Sequence, residues 1–199
     1  MKQRKPKDYN ANHVAHTAEC AFQRAIIQGK YSFVKEEKIE WIDIELPVDD
    51  SASSRGQCVD LIGIDSNENY VLCELKFRKK GDNGNPIEAT EQLKGYYKNI
   101  KKNAEELNKI KLGHTNATRR IDWVKVAMDN TRLMVVANGF YWDTWLVRSR
   151  NKVKLTDNKT EYYSVDIDRY IFEKQKGDKK YYTPKMPNEG LHWEEKHKE

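Results

Sequence analysis

Two neighbouring apolar segments constrain the fold of this chain more than any other feature of its sequence. The segments Gln57–Asp65 and Asn69–Arg78 are separated only by the turn residues Ser66-Asn67-Glu68. Both are apolar at consecutive positions for much of their length, which is typical of strands that are covered on both faces. They predict a central β-hairpin inside a mixed sheet that has helices on each side.

Charged residues interrupt this apolar hairpin at Asp60, Glu74 and Lys76. Burying a charge costs several kcal/mol unless the charge is paired or bound to a metal. Alternate residues of a strand share a face, so Glu74 and Lys76 point the same way. If the hairpin turns symmetrically about Asn67, Asp60 lies directly opposite Glu74, with Cβ atoms about 5 Å apart. Two carboxylates and one ammonium group are therefore predicted to converge at the end of the sheet.

Such a cluster has a catalytic interpretation and two alternatives. Two close carboxylates repel each other unless a cation lies between them, and Mg²⁺ prefers a few carboxylate oxygens together with waters. Lys76 could instead form a purely structural ion pair with one of the acids. An unrelated α/β enzyme could use the carboxylates for acid–base chemistry, although it would not need Lys76 two residues from Glu74. The position of Asp60 inside the apolar hairpin favours the metal-dependent interpretation.

Composition narrows the class of protein only slightly. Lys and Arg total 36 and Asp and Glu total 31, a net charge of +5 that is compatible with a phosphate-rich partner without demanding one. Cys20, Cys58 and Cys73 have no metal-ligand spacing and fit reduced thiols in a cytosolic protein. No stretch approaches the roughly 18 apolar residues of a membrane helix. We expect a cytoplasmic protein without a membrane partner.

Periodicity and turn residues predict the remaining elements. Residues 49–56 and 79–86 are expected to be loops, and 162–172 either a strand or a short helix. The predicted elements are a helix at Asn12–Gln28 with Asn12 as N-cap and Gly29 as its end, a strand at Ile39–Val48, a helix at Ile87–Lys111, a strand at Arg132–Ala137, and a hairpin through Asn138-Gly139 into a strand at Phe140–Val147.

The order of the charged residues resembles the motif of the PD-(D/E)xK nuclease superfamily. That motif has an acid on one strand and Glu/Asp-x-Lys on the next, which Asp60, Glu74 and Lys76 match. Val59 stands where the usual proline precedes the first acid. This departure weakens the sequence match without changing the chemistry.

Two helical features extend the resemblance, which covers roughly residues 12–138. Glu19 lies on the helix before the strands, where many members carry an additional acid. Gln92 and Tyr96 resemble the Gln-x-x-x-Tyr signature of the RecB-like branch. Residues four apart share one helix face, so both side chains are expected to reach the site or the DNA backbone. Gly95 between them would allow a phosphate to approach closely.

The resemblance implies a restriction-endonuclease-like three-layer α/β/α core with a central mixed β-sheet. It also implies a metal-dependent nuclease that hydrolyses phosphodiester bonds of DNA, with Mg²⁺-bound water as nucleophile and Mn²⁺ as a substitute ion. Asp60, Glu74 and the backbone carbonyl of Leu75 would hold the ion, with Glu19 as support. Lys76 would orient the water or stabilise the charge that develops on the phosphate.

Composition along the chain predicts how it is divided, and the basic and polar residues near the predicted site are candidates for contact with DNA. We expect residues 1–11 to form a flexible basic arm, 12–175 a single nuclease-like domain, and 176–199 a poorly ordered or extended tail. A catalytically inactive nucleic-acid-binding or scaffold protein with the same fold is the alternative, and both a monomer and a homodimer stay open. The candidate DNA-binding residues are Gln92, Tyr96, Arg78, Lys79, Lys80 and Lys94.

Overall fold

The computed structural model describes residues 15, 17–48, 58–80, 82, 84–109, 121–148, 159–184 and 191–196. The expected basic arm over 1–11 and the loop over 49–56 lie outside these residues. The elements are α1 (Ala18–Gly29), β1 (Tyr31–Val34), β2 (Glu37–Pro47), β3 (Cys58–Ile64), β4 (Tyr70–Lys76), α2 (Pro86–Lys109), α3 (Trp123–Val126), β5 (Arg132–Ala137), α4 (Gly139–Arg148), β6 (Thr160–Val165), a 3₁₀ helix (Asp168–Tyr170), β7 (Ile171–Lys176), β8 (Lys179–Pro184) and β9 (Leu191–Glu195).

The main sheet is mixed, as expected, but it closes on itself. Strands β1, β2, β3 and β4 are antiparallel neighbours, whereas β4, β5 and β6 are parallel. Strand β9 pairs antiparallel with β6 and parallel with β1, which joins the two edges into a closed barrel. The expected three-layer core with a central mixed sheet did not include this closure. Because an unpaired edge leaves backbone N–H and C=O groups without partners, pairing both edges with β9 satisfies them.

Two apolar cores form on opposite faces of the strands, with helices on both sides. One contains Phe22 and Ile26 of α1, packed against residues such as Leu61 and Cys73. The other contains Leu93 of α2 together with aromatic residues of α3 and α4. The hairpin β3–β4 contributes side chains to both cores, which is why its sequence is apolar at consecutive positions.

The predicted hairpin at Asn138-Gly139 is wrong, because α4 begins there. A two-residue hairpin turn of this type needs positive φ, and Gly139 does not adopt it. Instead the side chain of buried Asn138 accepts a hydrogen bond from Arg78 N and donates one to Arg78 O. Its own backbone oxygen accepts from Tyr141 N. A tertiary contact thus uses the residue that the sequence pattern assigned to a turn.

Other boundaries differ in ways that local sequence does not reveal. The first helix is capped by Thr17, which accepts a hydrogen bond from Cys20 N, and not by Asn12, which lies outside the described residues. Strand β1 was not predicted. The expected tail over 176–199 contains β8 and β9, and β9 gains its partners from strands that are distant in sequence.

Between residues 162 and 172 both predicted alternatives occur in part, a strand followed by one 3₁₀ turn. Within the part of the chain that the structure describes, no helix has the length and apolar character required to cross a membrane.

Candidate active site

The end of the β3–β4 ladder brings the three predicted central residues together. The ladder pairs Ile62 with Leu72 and Leu61 with Cys73, which is the symmetric register expected about the turn. The described backbone pairing ends at Leu61 and Cys73, one position before Asp60 and Glu74. Beyond this point the Asp60 carboxylate reaches across to β4, where its Oδ2 accepts a hydrogen bond of 2.8 Å from Leu75 N.

Gln23, on α1, holds the other oxygen of Asp60 and was missed by sequence reasoning. Its Nε2 donates to Asp60 Oδ1 at 2.6 Å, and the Gln23 residue is 5% exposed. A buried polar side chain requires a partner, so a glutamine on the apolar face of a predicted helix was the available signal. Gln23 lies one helical turn from Glu19, so the same helix face carries both residues toward the strands.

Glu74 and Lys76 form a direct, largely buried ion pair. Lys76 Nζ lies 2.5 Å from Glu74 Oε1, and the two side chains are 15% and 1% exposed. The second oxygen, Glu74 Oε2, is buried and has no hydrogen-bond partner among the described residues. An unsatisfied buried carboxylate oxygen is costly. This atom is therefore open to a ligand that can offer positive charge.

Burial is the main reason that the pKa values of both acids are raised. Burial and then repulsion by Glu74 raise the pKa of Asp60 well above its ordinary value, against the opposing effect of Lys76. Burial raises the pKa of Glu74 to about 7, although Lys76 acts in the lowering direction. The pKa of Lys76 is lowered by burial but raised more strongly by Glu74 and Glu19, so the net shift is upward. The cluster thus has more buried negative charge than Lys76 alone neutralises.

Glu19 reaches the same region from α1. Its Oε2 accepts a hydrogen bond of 3.2 Å from Phe77 N, the residue that follows Lys76. Its charge also acts on the pKa values of Asp60, Glu74 and Lys76. Glu19 therefore lies at the margin of the cluster.

Helix α2 closes the cluster with the two residues of the Gln-x-x-x-Tyr pattern. Gln92 Oε1 accepts from Lys76 Nζ at 3.4 Å, and Gln92 Nε2 donates to Tyr96 Oη at 2.5 Å. Burial raises the pKa of Tyr96, the bond from Gln92 opposes this, and Glu74 and Asp60 raise it further. The chain of hydrogen bonds from Glu74 through Lys76 and Gln92 to Tyr96 joins the strand end to the helix.

The predicted DNA-binding cations do not gather at the cluster. Arg78 donates to Phe77 O and lies over the Tyr141 ring. Lys79 pairs with Glu173, and Lys94 pairs with Glu91 on the outer side of α2. Lys80 is exposed on the loop after β4. Each of these residues contacts local neighbours, so their role toward DNA stays a prediction.

A divalent cation fits part of this donor set. Among the described residues, no group of three or more His, Cys, Asp and Glu side chains is arranged to hold a metal by itself. Mg²⁺, however, is usually held by one or two carboxylates and keeps several waters. Asp60 and Glu74 supply two carboxylates, and the unpartnered Glu74 Oε2 is a suitable hard oxygen donor.

No family model and no curated protein sequence matches this chain. Two solved structures show limited similarity. A repair endonuclease from Pyrococcus abyssi is 25% identical, with a TM-score of 0.27, over 50% of this chain and 29% of that chain. A complex of EndoMS with dsDNA is 17% identical, with a TM-score of 0.35, over 72% of this chain and 46% of that chain. The chain thus spans less than half the length of each.

Both TM-scores are below 0.5, so these similarities carry no argument about fold or function. The assignment of function therefore depends on the candidate site itself.

Proposed function

We propose that this chain is a Mg²⁺-dependent nuclease that hydrolyses phosphodiester bonds of DNA. The observation that carries the proposal is the buried, unpartnered Glu74 Oε2 beside a second carboxylate, Asp60, and the amine of Lys76. When bound, Mg²⁺ would polarise the phosphodiester and make a neighbouring water more acidic. The surplus negative charge of the cluster is the reason that a cation would bind there.

The residues of the cluster would have different roles in metal binding and in stabilising the reacting phosphate. Asp60 and Glu74 would hold the ion together with the backbone carbonyl of Leu75, the residue between Glu74 and Lys76. Gln23 holds one oxygen of Asp60, and so fixes the direction of its remaining lone pairs. Lys76 would donate to the attacking water or to the phosphate as charge develops there.

Lys76 can leave its present partner without losing every contact. Its amine lies between Glu74 Oε1 and Gln92 Oε1. Once a cation neutralises Glu74, the attraction of that carboxylate for Lys76 falls, while Gln92 still accepts a hydrogen bond. Gln92 is in turn bonded to Tyr96, which keeps the amide in place. Both helix residues would therefore act as positioning residues for the lysine.

We also propose that the chain is related to the PD-(D/E)xK superfamily and its RecB-like branch. Support comes from the acid near the start of β3, Glu-x-Lys at the end of β4, and Gln92 and Tyr96 reaching in from α2. Helices on both faces of a mixed sheet are compatible with a three-layer core. Closure through β9 would then be an addition to that core.

A catalytically inactive nucleic-acid-binding protein is the second candidate. The direct bond between Lys76 Nζ and Glu74 Oε1 favours it, because a closed ion pair satisfies one carboxylate oxygen without any metal. Calorimetric titration with Mn²⁺ separates the two candidates. The nuclease requires binding that Glu74→Gln weakens at least tenfold, whereas the inactive protein requires none.

Lys76→Ala tests the proposed activity most directly. We expect loss of Mg²⁺-dependent cleavage of linear and supercoiled DNA by about 100-fold or more, since one donor to a developing oxyanion contributes about that much. The matched control is Lys98→Ala, an exposed lysine of α2 outside the cluster, which should cleave normally. Undiminished cutting by Lys76→Ala would reject the assignment.

A further inference from the structure

Strands β7 and β8 form a two-stranded ribbon apart from the barrel. At its base, Tyr182 and Ala15 exchange backbone hydrogen bonds of 2.9 Å in both directions. Tyr182 also packs against Ala18 and Ala21 of α1. The far end carries the turn at Gly177, whose φ of 60° suits a tight reversal. The ribbon is thus attached at one end and exposed along most of its length.

The register of the ribbon separates its side chains into two faces. Opposed residues share a face, so Glu173 lies with Tyr182 and Gln175 with Lys180 on the side toward α1. The opposite side is called the lysine face here. It is made of the pairs Phe172–Thr183, Lys174–Tyr181 and Lys176–Lys179.

The lysine face contains positive charge that the described residues do not neutralise. Lys174, Lys176 and Lys179 are exposed, and no described carboxylate forms an ion pair with them. By contrast, Glu173 on the other side receives both Lys79 and Lys180. Glu173 therefore pairs with cations on the side toward α1, and Asp178 lies in the turn at the far end, while the three lysines remain on the outer side.

Two further features of the lysine face are unfavourable for the isolated chain. Lys176 lies directly opposite Lys179, and like charges in opposed positions destabilise a strand pair. A two-stranded ribbon is only marginally stable by itself. Phe172 is 46% exposed on the same side. A polyanion that also offers apolar surface would reduce the repulsion between Lys176 and Lys179 and would cover Phe172.

The base of the ribbon is joined to the strand end that carries Lys76. Lys79, three residues later, bonds to Glu173 Oε2 at 2.9 Å and lies over the Tyr182 ring at 5.5 Å. Phe77 packs between α1 and the ribbon. These contacts place the base of the ribbon near this strand end, and they lie on the side of the ribbon toward α1, so the lysine face stays turned outward.

We propose that the lysine face binds the phosphodiester backbone of DNA, an inference that rests on the proposed nuclease function. Lysines neutralise phosphates without reading sequence, and a two-stranded ribbon fits the major groove of a duplex. Phe172 and Tyr181 offer apolar contact to sugars or bases. The ribbon acts in binding, and the cluster around Glu74 acts in cleavage.

The test compares two triple variants that remove equal charge. One is Lys174→Gln with Lys176→Gln and Lys179→Gln. The matched control is Lys98→Gln with Lys102→Gln and Lys125→Gln, three exposed lysines of α2 and α3. Binding to labelled duplex and single-stranded DNA is measured by fluorescence anisotropy in EDTA, over a range of salt concentrations. Urea unfolding of both variants checks that they are folded.

We expect the ribbon variant to lose at least tenfold in affinity at low salt. The slope of log affinity against log salt should fall by about 2 to 3, since each lost phosphate contact contributes about 0.9. The control should change less than about twofold. Removing the Lys176–Lys179 repulsion should leave the ribbon variant at least as stable as the unmodified chain.

Equal losses in the two triple variants would overturn the inference, because only bulk charge would then matter. Failure of the unmodified chain to bind either form of DNA would also overturn it. The form of DNA that shows the ribbon-dependent loss is the form that the ribbon binds. Ribbon-dependent binding without any Mg²⁺-dependent cleavage would reject the nuclease and retain this interface, so the two failures are distinguishable.

Discussion

The side-chain amide of Gln23 donates a hydrogen bond of 2.6 Å to Asp60 Oδ1, and so joins the first helix to the third strand near its start. The other oxygen of Asp60 is held by Leu75 N at 2.8 Å. A carboxylate with one hydrogen bond on each oxygen has a defined orientation, and its remaining lone pairs point in defined directions. Gln23 is therefore expected to matter for metal binding as well as for stability.

Replacing Gln23 by Leu tests this positioning role. We expect Mn²⁺ affinity, measured by calorimetry, to fall by about 10-fold or more, as for other supporting partners of metal ligands. DNA affinity in EDTA should not change. Gln28→Leu is the matched control on the same helix, because Gln28 Nε2 has no hydrogen-bond partner among the described residues. Equal metal affinity in the two variants would show that Gln23 only fills space.

Glu74 should make stability depend on pH in the absence of metal. Its pKa is about 7 in the folded chain, against an ordinary value of 4.5. A carboxyl group whose pKa is raised by folding contributes its full stabilisation of the folded chain below about pH 4.5. This contribution is lost as pH rises through about 7. The free energy of unfolding of Glu74→Gln should therefore equal that of the unmodified chain near pH 4.5 and exceed it at pH 8, by up to ~3 kcal/mol.

Urea unfolding in EDTA at several pH values measures this difference. Addition of Mg²⁺ at pH 8 should stabilise the unmodified chain more than Glu74→Gln, because the variant retains Asp60 but lacks the second carboxylate. A stability difference that is constant from pH 4.5 to 8 would contradict the raised pKa.

Gly95 offers a test of how closely DNA approaches α2. A Cβ placed on Gly95 would meet nothing within 4 Å among the described residues, so close packing does not require glycine there. Gly95→Ala should raise the free energy of unfolding by roughly 0.5–1 kcal/mol, the helix preference of alanine over glycine. Gly139→Ala, also in open space but at the start of α4, should gain less.

Thermal unfolding measures the gain, and KM for DNA cleavage measures the approach of substrate. We expect KM to stay within about twofold. A large rise in KM with normal stability would instead place a phosphate against the helix at this residue.

Arg132, at the start of β5, holds three carboxylates at the end of the strand opposite to the candidate site. Its guanidinium contacts Glu37 at 2.6 Å, Asp65 at 3.2 Å and Glu161 at 2.8 Å. Removing it leaves three acids close together without a cation. Arg132→Leu should lower the free energy of unfolding at pH 7 by about 2–4 kcal/mol.

Arg132→Lys should recover part of this loss, since the charge returns without the two-pronged contact with Glu161. Denaturant titration at pH 7 measures the effect. A loss of stability that is equal in Arg132→Leu and Arg132→Lys would show that the charge does not explain it.

The hairpin β3–β4 could be predicted from the local sequence pattern, because consecutive apolar residues and a short polar turn leave few alternative arrangements. The register followed from the same turn, and the described pairs agree with it. Strand β5 and helix α2 were likewise predicted from periodicity, with α2 beginning one residue earlier than expected at Pro86. These elements are defined by interactions between residues that are near in sequence.

Long-range contacts decided the rest. Asn138 and Gly139 have a turn-like sequence, yet the Arg78 backbone binds the Asn138 side chain and α4 begins. Strand β9 has little strand pattern of its own and exists because it pairs with β1 and β6. Only the folded chain places Gln23 against Asp60 across 37 positions.

The sequence by itself determined that two acids and a lysine would meet on one hairpin, because strand alternation and turn symmetry are local rules. Tertiary structure alone decided which partners complete the cluster and how the sheet closes. The physical reason is that hydrogen bonds and packing between distant segments depend on where the whole chain runs, and local preferences carry no information about that.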